Sequence, residues 1–484
     1  YLRGVQCEKS LYLYKHYYNL RDELTPEKKA IFSRGTNVGV LAQDLFPGGT
    51  DASPKDVFHF AESADYTQQL LQEGESVIYE AAFIYDGVLA AIDLLVKQDE
   101  KGRAYEVKSS TKVTDVYLRD AALQYWVITN SGIELEDIFI VHIDNAYIKQ
   151  GVIDVEGLFK KVSVKDEVLK RQKEIPENVQ RFKEVIRNPA TPDIPIGPHC
   201  FDPYPCDFIG TCWKGIPENS VFDISGMHKQ EQFEMYEKGM VSISDIPDDY
   251  SLRKNQKIQV EQAQKNEVLI QKGEIQNFLN GLKYPLWFFD LETFMPAVPI
   301  FDGTHPYEHI PFQYSLHVKE QEGGEVKHFE FLAEAGQDPR KAFAENLLKH
   351  IGKEGSVLVY NQQFERSVLN GLARKFPEYE EEIRQITNRL VDLMVPFKNK
   401  WYYHPDMKGS YSIKAVLPAL VPELNHKDLD ISGGSMAMVA FEKLQTETDI
   451  FKIAEMRDNL LEYCKLDTLA MVEILEVLYQ EVTE

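Results

Sequence analysis

The chain has 484 residues, enough for about three domains of ~150 residues, and its 43% hydrophobic and 27% charged content is that of a globular protein able to bury sizeable cores. No apolar run reaches the roughly 18 residues of a bilayer crossing, and 28 glycines, 23 prolines and 11% aromatics exclude collagen-like and disordered chains. A net charge of −24 excludes a general electrostatic sponge for nucleic acid or anionic membranes, so any nucleic-acid groove must be locally basic, whereas clustered metal-binding carboxylates would add to the negative count.

The start, from Tyr1, is mixed and Tyr-rich without a signal-peptide h-region. Five cysteines are too few and too scattered for a disulfide scaffold, so a cytoplasmic location is the expectation. Composition divides the chain into three sections. Residues 1–215 are mixed α/β and end in the Cys/Pro-rich stretch Pro198 to Trp213; residues 216–283 are polar and helical in pattern; residues 284–484 begin with strands and finish with helices. There is no internal repeat, and the acidic run Glu378 to Glu382 is a solvated helix face.

The segment GVLAAIDLLVKQDEKGRAYEVKSS predicts two apolar strands joined by a turn at 97–103. Asp93 falls in the first strand and Glu106-Val107-Lys108 in the second. Alternation puts Glu106 and Lys108 on one side and Val107 on the other, so two carboxylates and an ammonium can meet at one edge of a sheet. Carboxylates bind a hard cation such as Mg²⁺, and a lysine orients or polarises the attacking water. A surface ion pair on a hairpin is the plainer account of the Glu-x-Lys pair by itself. The D…ExK pattern resembles the RecB-type branch of the PD-(D/E)XK nucleases. The resemblance implies a metal role for Glu80, in YEAAF, and a site role for Gln124, in LRDAALQYWVI. Two positions depart from it: Gly39 stands where the branch has a histidine four residues after Gly35, and Ile128, with Tyr125 nearby, replaces a tyrosine.

In HCFDPYPCDFIGTCW three cysteines, Cys200, Cys206 and Cys212, are spaced by six, with Cys7 at the far end of the same section. Regular spacing in a Pro/Gly-rich loop is neither a helix face nor a strand face. A shared ligand is expected, and four thiolates suit tetrahedral Zn²⁺ or a [4Fe–4S] cluster equally. RecB-type nucleases with one N-terminal and three C-terminal cysteines use them for [4Fe–4S], so the resemblance implies that cluster, clamping the ends of the module. Cys464 lies elsewhere and is expected to be core packing.

PLWFFDLETF predicts an apolar strand interrupted by Asp290 and Glu292 on one face. Buried carboxylates are costly unless paired or metal-bound, and no Arg or Lys is adjacent in sequence. NLLEYCKLDTLAMVEILEVL has helical periodicity, with Tyr463 and Asp467 one turn apart and Asp467 on the apolar stripe of Cys464, Met471, Leu475 and Leu478. A carboxylate aimed at a sheet bearing two more calls for cations between them, and two hard metals about 4 Å apart serve phosphoryl displacement. The order DxE, a middle acid, then YxxxD resembles the tyrosine variety of the DEDD 3′–5′ exonucleases, which have an RNase H-like fold. The middle motif is similar to VLVYNQQFERSVL, where a strand runs into a helix; its acid is Glu365, with Asp392 in RLVDLMVPF as the rival. HIPFQYSLHV reads as the next strand, and GSYSIKAVL as a turn and helix before the last motif.

As a whole the chain resembles an uncharacterised prokaryotic family that joins a RecB-like iron–sulfur nuclease module to a C-terminal RNase H-like domain. The expected architecture is α/β: a restriction-endonuclease-like PD-(D/E)XK module over 1–215, a helical connector over 216–283 with MYEKGMVSISDIPDDY as a packed segment, and a mixed-sheet exonuclease domain over 284–484. The implied activity is metal-dependent hydrolysis of DNA. Glu80, Asp93 and Glu106 would hold Mg²⁺ or Mn²⁺ beside Lys108 and Gln124; Asp290, Glu292, Glu365 and Asp467 would do so beside Tyr463. Repair or defence proteins are the expected partners, and no membrane. An RNA-processing exonuclease and a non-catalytic nucleic-acid-binding adaptor are the alternatives.

Overall fold

The computed structural model describes residues 1–484 except 57, 99–100, 426–428 and 484. The chain is mixed α/β and divides into two compact units, Tyr1–Lys214 with Pro296–Tyr307, and Gly215–Met295 with Glu308–Glu484.

In the first unit β1 (Thr50–Asp51), β2 (Val77–Tyr85), β3 (Val88–Gln98), β4 (Lys101–Lys108), β5 (Leu135–Ile143) and β6 (Phe159–Ser163) form one sheet in chain order. β2, β3 and β4 are antiparallel; β4 and β5 are parallel and joined through the helix Asp115–Asn130, the crossover that parallel neighbours require. Of the turn expected at 97–103, Asp99 and Glu100 lie outside the described residues. Both faces of the sheet are covered, which is why its strands are apolar nearly throughout. One face buries Ile78, Ala81, Ile92 and Ile140 against Ala121, Ala122 and Ile128 of the Asp115–Asn130 helix. The other buries Tyr79, Leu94, Tyr105 and Val141 against Val38 and Ala42 of the helix Pro26–Ala42, with Ala297 and Val298 from the excursion 296–307. Ile128 is thus a core residue, and Tyr125 packs beside it.

The second unit opens with the helices Lys229–Glu237, Lys254–Lys265 and Lys272–Asn280, the first two around a small core of Val221, Met235, Ile243, Ile246 and Val260. β7 (Leu269–Ile270) follows; it later pairs with β13 (Tyr402–Tyr403), after β8 (Leu286–Phe294), β9 (Ile310–Lys319), β10 (Val326–Leu332), β11 (Ser356–Val359) and β12 (Leu390–Asp392). The main sheet is mixed, in the order β10-β9-β8-β11-β12, antiparallel as far as β8 and parallel beyond it. β8 is therefore central. Its even-numbered Leu286 and Phe288 face the long helix Ile450–Thr483, together with Met471, Ile474 and Leu478. Its odd-numbered Trp287, Phe289 and Leu291 face the helices Arg340–His350 and Gln362–Lys375. Among the described residues no helix is long and apolar enough to cross a membrane.

Candidate functional site

Alternation along β8 carries Asp290 and Glu292 onto the face of Leu286 and Phe288, beneath the Ile450–Thr483 helix. On that helix Tyr463 and Asp467 are one turn apart, and both are buried. One oxygen from each of Asp290, Glu292 and Asp467 lies within 4.8 Å of the other two. Glu365 enters from the first turn of the Gln362–Lys375 helix, directly after β11. These four acids and Tyr463 line one cleft of about 400 Å³.

Such crowding is unfavourable without a counter-charge. Burial, then the Asp467 charge, pushes Asp290 well above the usual carboxylate range, and burial with Asp290 and Asp467 does the same to Glu292. Burial, then Asp290, raises Glu365 to about 9. Glu365 is 2% exposed and its Oε2 has no hydrogen-bond partner. The donor set fits hard cations. Carboxylate oxygens are the ligands Mg²⁺ and Mn²⁺ select, and three of them would be near enough to share such ions.

The rival acid Asp392 is used otherwise. Its carboxylate accepts the backbone N–H groups of Asn361 (3.1 Å), Gln362 (3.3 Å) and Met394 (3.0 Å), and so fixes the β11–helix junction that aims Glu365. Asn361 itself holds a left-handed φ of 87° there. Cys464, expected to be plain packing, is buried but also stands with its Sγ 3.6 Å from Asp290 Oδ2, a weak S–H donor to a carboxylate. Two cleft residues escape sequence reasoning. Lys414, on the GSYSIKAVL helix, anchors its Nζ on the Ser432 carbonyl at 2.5 Å and lies 5.6 Å from the Tyr463 ring, where it offsets the charges of Asp290 and Glu292. His309 lines the opposite wall, bonded to Thr293 Oγ1 at 2.8 Å. The only signal for Lys414 was a lone cation in an apolar turn.

In the first unit the ladder pairs Tyr79 with Leu94 and Ala81 with Ile92, leaving Glu80 and Asp93 unpaired between them. Glu80 has a left-handed φ of 54°. Burial, then the Glu106 charge, raises Glu80 to about 7; burial, then Glu80, raises Asp93 to about 7. Asp93 Oδ2 accepts the Val107 N–H at 2.5 Å. Lys108 Nζ binds Glu106 Oε1 at 2.6 Å and Asp120 Oδ2 at 2.9 Å, and Gln124 Nε2 holds the other Glu106 oxygen at 2.7 Å. Burial opposes the Lys108 charge, but its two carboxylates outweigh that and raise its pKa. Burial and Asp93 raise Glu106 to about 8, because one ammonium shared with Asp120 does not offset both. Asp120, four residues before Gln124 on the same helix face, is a site residue that the motif does not contain. A side chain at Gly39 would meet open space.

Cys7, Cys200, Cys206 and Cys212 line one small recess as free thiols. Hydrogen bonds draw the two ends of the unit together there: Gln6 Nε2 donates to the carbonyls of His199 and Tyr204, both at 2.9 Å, and Arg3 pairs with Asp207 at 2.8 Å. Burial raises the Cys7 and Cys212 thiols.

Residues 287–412 match a family model described as Domain of unknown function (DUF2779). That span contains Asp290, Glu292, Glu365 and Asp392. An uncharacterized protein of Ureaplasma parvum serovar 3 is 27% identical over 234 residues, which cover 43% of this chain and 33% of that protein. An uncharacterized protein of Mycoplasma pneumoniae, an MG366 homolog, is 26% identical over 212 residues, 40% of this chain and 32% of that protein. The chain thus spans about a third of the length of the curated relatives it matches. These similarities support an uncharacterised prokaryotic family.

Proposed function

We propose that the chain is a metal-dependent nuclease that hydrolyses phosphodiester bonds in DNA and trims 3′ ends at the acidic cleft of the second unit. The observation that carries this is the convergence of Asp290, Glu292 and Asp467 within 4.8 Å, beside the buried and unpartnered Glu365 Oε2. In this reading the mixed sheet is RNase H-like, and the four acids hold Mg²⁺ or Mn²⁺. Such ions supply Lewis acidity and lower the pKa of water. The chain's own residues do the positioning. Burial, then Asp467, keeps the Tyr463 phenol protonated, and its O–H is bonded to the Asp467 carboxylate. Tyr463 therefore orients water as a hydroxyl rather than removing its proton as a phenolate. Lys414 offsets part of the carboxylate charge that would otherwise repel a phosphodiester.

For the first unit the proposal is a RecB-like PD-(D/E)XK module, with Glu80, Asp93 and Glu106 as metal ligands, Lys108 as the polarising cation and Gln124 as the support of Glu106. The four thiols would hold [4Fe–4S], with Zn²⁺ as the alternative. One observation favours binding without cleavage in this unit. Glu106 is already engaged by Lys108 and Gln124, and open space stands at Gly39 in place of a ligand.

The test is digestion of matched DNA and RNA strands, labelled at either end, by the full chain with Mg²⁺ or Mn²⁺. DNA shortened from the 3′ end, with the activity abolished by Asp290→Ala, is expected. Trimming retained in Asp290→Ala would remove the assignment of the second-unit site, and preferential loss of RNA would move the substrate.

A further inference from the structure

We propose that a buried ladder of polar side chains on β9 fixes the axial register of the Ile450–Thr483 helix, which makes Gln313, Ser315, His317, Lys319 and Thr468 positioning residues for the acidic cleft. This rests on the nuclease proposal and adds to it the device that brings Asp467 to Asp290 and Glu292. Alternation divides β9 sharply. Its even-numbered Tyr314, Leu316 and Val318 join the apolar core of Trp287, Phe289 and Leu291. Its odd-numbered Gln313, Ser315, His317 and Lys319 lie on the opposite face and are no more than 6% exposed. There Gln313 is the cross-strand partner of Glu292, and Ser315 that of Asp290.

Each of the four meets the helix. Gln313 Nε2 donates to the Leu460 carbonyl at 2.6 Å. Thr468 Oγ1 stands 2.6 Å from Ser315 Oγ and 2.8 Å from His317 Nδ1, and His328 Nε2 of β10 holds Ser315 Oγ at 2.9 Å. Lys319 Nζ donates to Glu476 Oε1 at 2.5 Å. The contacts run along about 20 Å of strand and about 24 Å of helix. The middle rung falls on the residue directly after Asp467. Such a face is expensive, since buried polar groups add little net stability when bonded and cost much when they are not. An apolar face would also hold the helix, but apolar contact is non-directional and tolerates a slip. A slip of one residue moves a helical side chain by about 1.5 Å and turns it by about 100°. It would carry Asp467 away from the two acids whose oxygens lie within 4.8 Å of its own. Hydrogen bonds at three levels of the helix are made together in one register only. The ladder brings little charge to the cleft. Burial, then His328 and Lys465, lowers His317 to about 3 and keeps it neutral, and Lys319 is paired at the far end. Its contribution is geometry rather than neutralisation.

The test is Mn²⁺ titration of the full chain, read by the paramagnetic resonance of free Mn²⁺ and scoring the binding that Asp290→Ala abolishes. It runs beside kcat and KM for end-labelled DNA. Thr468→Val keeps the shape and removes the hydroxyl; it should weaken Mn²⁺ binding about 10-fold and lower kcat, with KM within about 2-fold. Thr468→Ser should restore both to within about 2-fold of the parent. Lys319→Met, at the far end of the ladder, should weaken Mn²⁺ binding about 3-fold. Loss of a cation acting through charge alone would tighten it, so the direction separates register from electrostatics. Ile386→Val, which trims the core on the other face of the sheet, should lower the melting temperature and leave Mn²⁺ affinity within about 2-fold. Should Thr468→Val fail to fold, Ser315→Ala carries the same expectation. Parent-like Mn²⁺ affinity in the folded Thr468→Val or Ser315→Ala chain, no rescue by Thr468→Ser, or tighter binding by Lys319→Met would overturn the ladder. The two proposals fail separately. Mn²⁺ binding without cleavage removes the nuclease and leaves the ladder to the affinities, whereas cleavage with parent-like affinity in Thr468→Val removes the ladder and keeps the nuclease. A parent chain that binds no Mn²⁺ through Asp290 overturns both.

Discussion

Glu365 and Asp392 illustrate how two acids in neighbouring motifs are sorted by their surroundings. Asp392 accepts three backbone N–H groups, so it is a structural anchor. Glu365 is buried with an oxygen that has no hydrogen-bond partner, the need that a cation would meet under the proposed function. Their mutants should therefore behave oppositely. Asp392→Ala should cost about 1 kcal/mol by removing the acceptor of three exposed or half-buried N–H groups, with or without metal. Glu365→Gln should leave the metal-free chain at least as stable and should abolish most of the thermal stabilisation conferred by Mn²⁺. Paired melting curves with and without Mn²⁺ check this, and a metal-independent loss in Glu365→Gln would move that acid to the structural class. At this scale the sequence identified residue types well and their neighbours poorly. Asp290, Glu292, Tyr463 and Asp467 were legible because carboxylates in apolar periods need a reason. Lys414, His309, Asp120 and the Cys464–Asp290 contact were not, because each depends on a partner far away or one turn along a helix, with no periodic signature of its own.

Strand alternation predicted the faces of β4 and β8, and helical spacing predicted Tyr463 above Asp467. Alternation did not predict the irregularity shared by β2 and β3. Ile78 and Ala81, three apart, share a face, as do Ile92 and Leu95, so each strand gains one residue at Glu80 and at Asp93. That extra residue diverts both acids from the alternating pattern. Glu80 pays in backbone strain, because a left-handed φ suits glycine and not a side chain with a Cβ. Glu80→Gly should accordingly melt higher than Glu80→Ala by about 1 kcal/mol, since both remove the carboxylate and only glycine relieves the backbone. Equal melting would place the origin of the irregularity elsewhere. Such a feature is hidden from periodicity, since a single inserted residue leaves the composition of an apolar strand unchanged.

Across the molecule, raised carboxylates make stability fall with pH in the metal-free state. Glu80 and Asp93 at about 7, Glu106 at about 8 and Glu365 at about 9 keep protons in the folded chain that the unfolded chain has released. The native state then binds more protons than the unfolded one, so stability should decline from about pH 5 to about pH 9. Under the proposed function divalent ions take the place of those protons, and their stabilising effect should grow over the same range. Melting at about pH 6 and about pH 8.5, with EDTA and with Mn²⁺, tests both signs; a flat profile in EDTA would mean that these acids are already neutralised. The mixed α/β class, the apolar strands, the long terminal helix and most of the acids were determined by the sequence alone, because burial and backbone periodicity are local constraints that each segment must satisfy by itself. The tertiary structure alone decided the assignment of 296–307 to the first unit, the different surroundings of Glu365 and Asp392, and the irregularity at Glu80 and Asp93. Each of these depends on which charges meet through space, and distance along the chain carries no record of that.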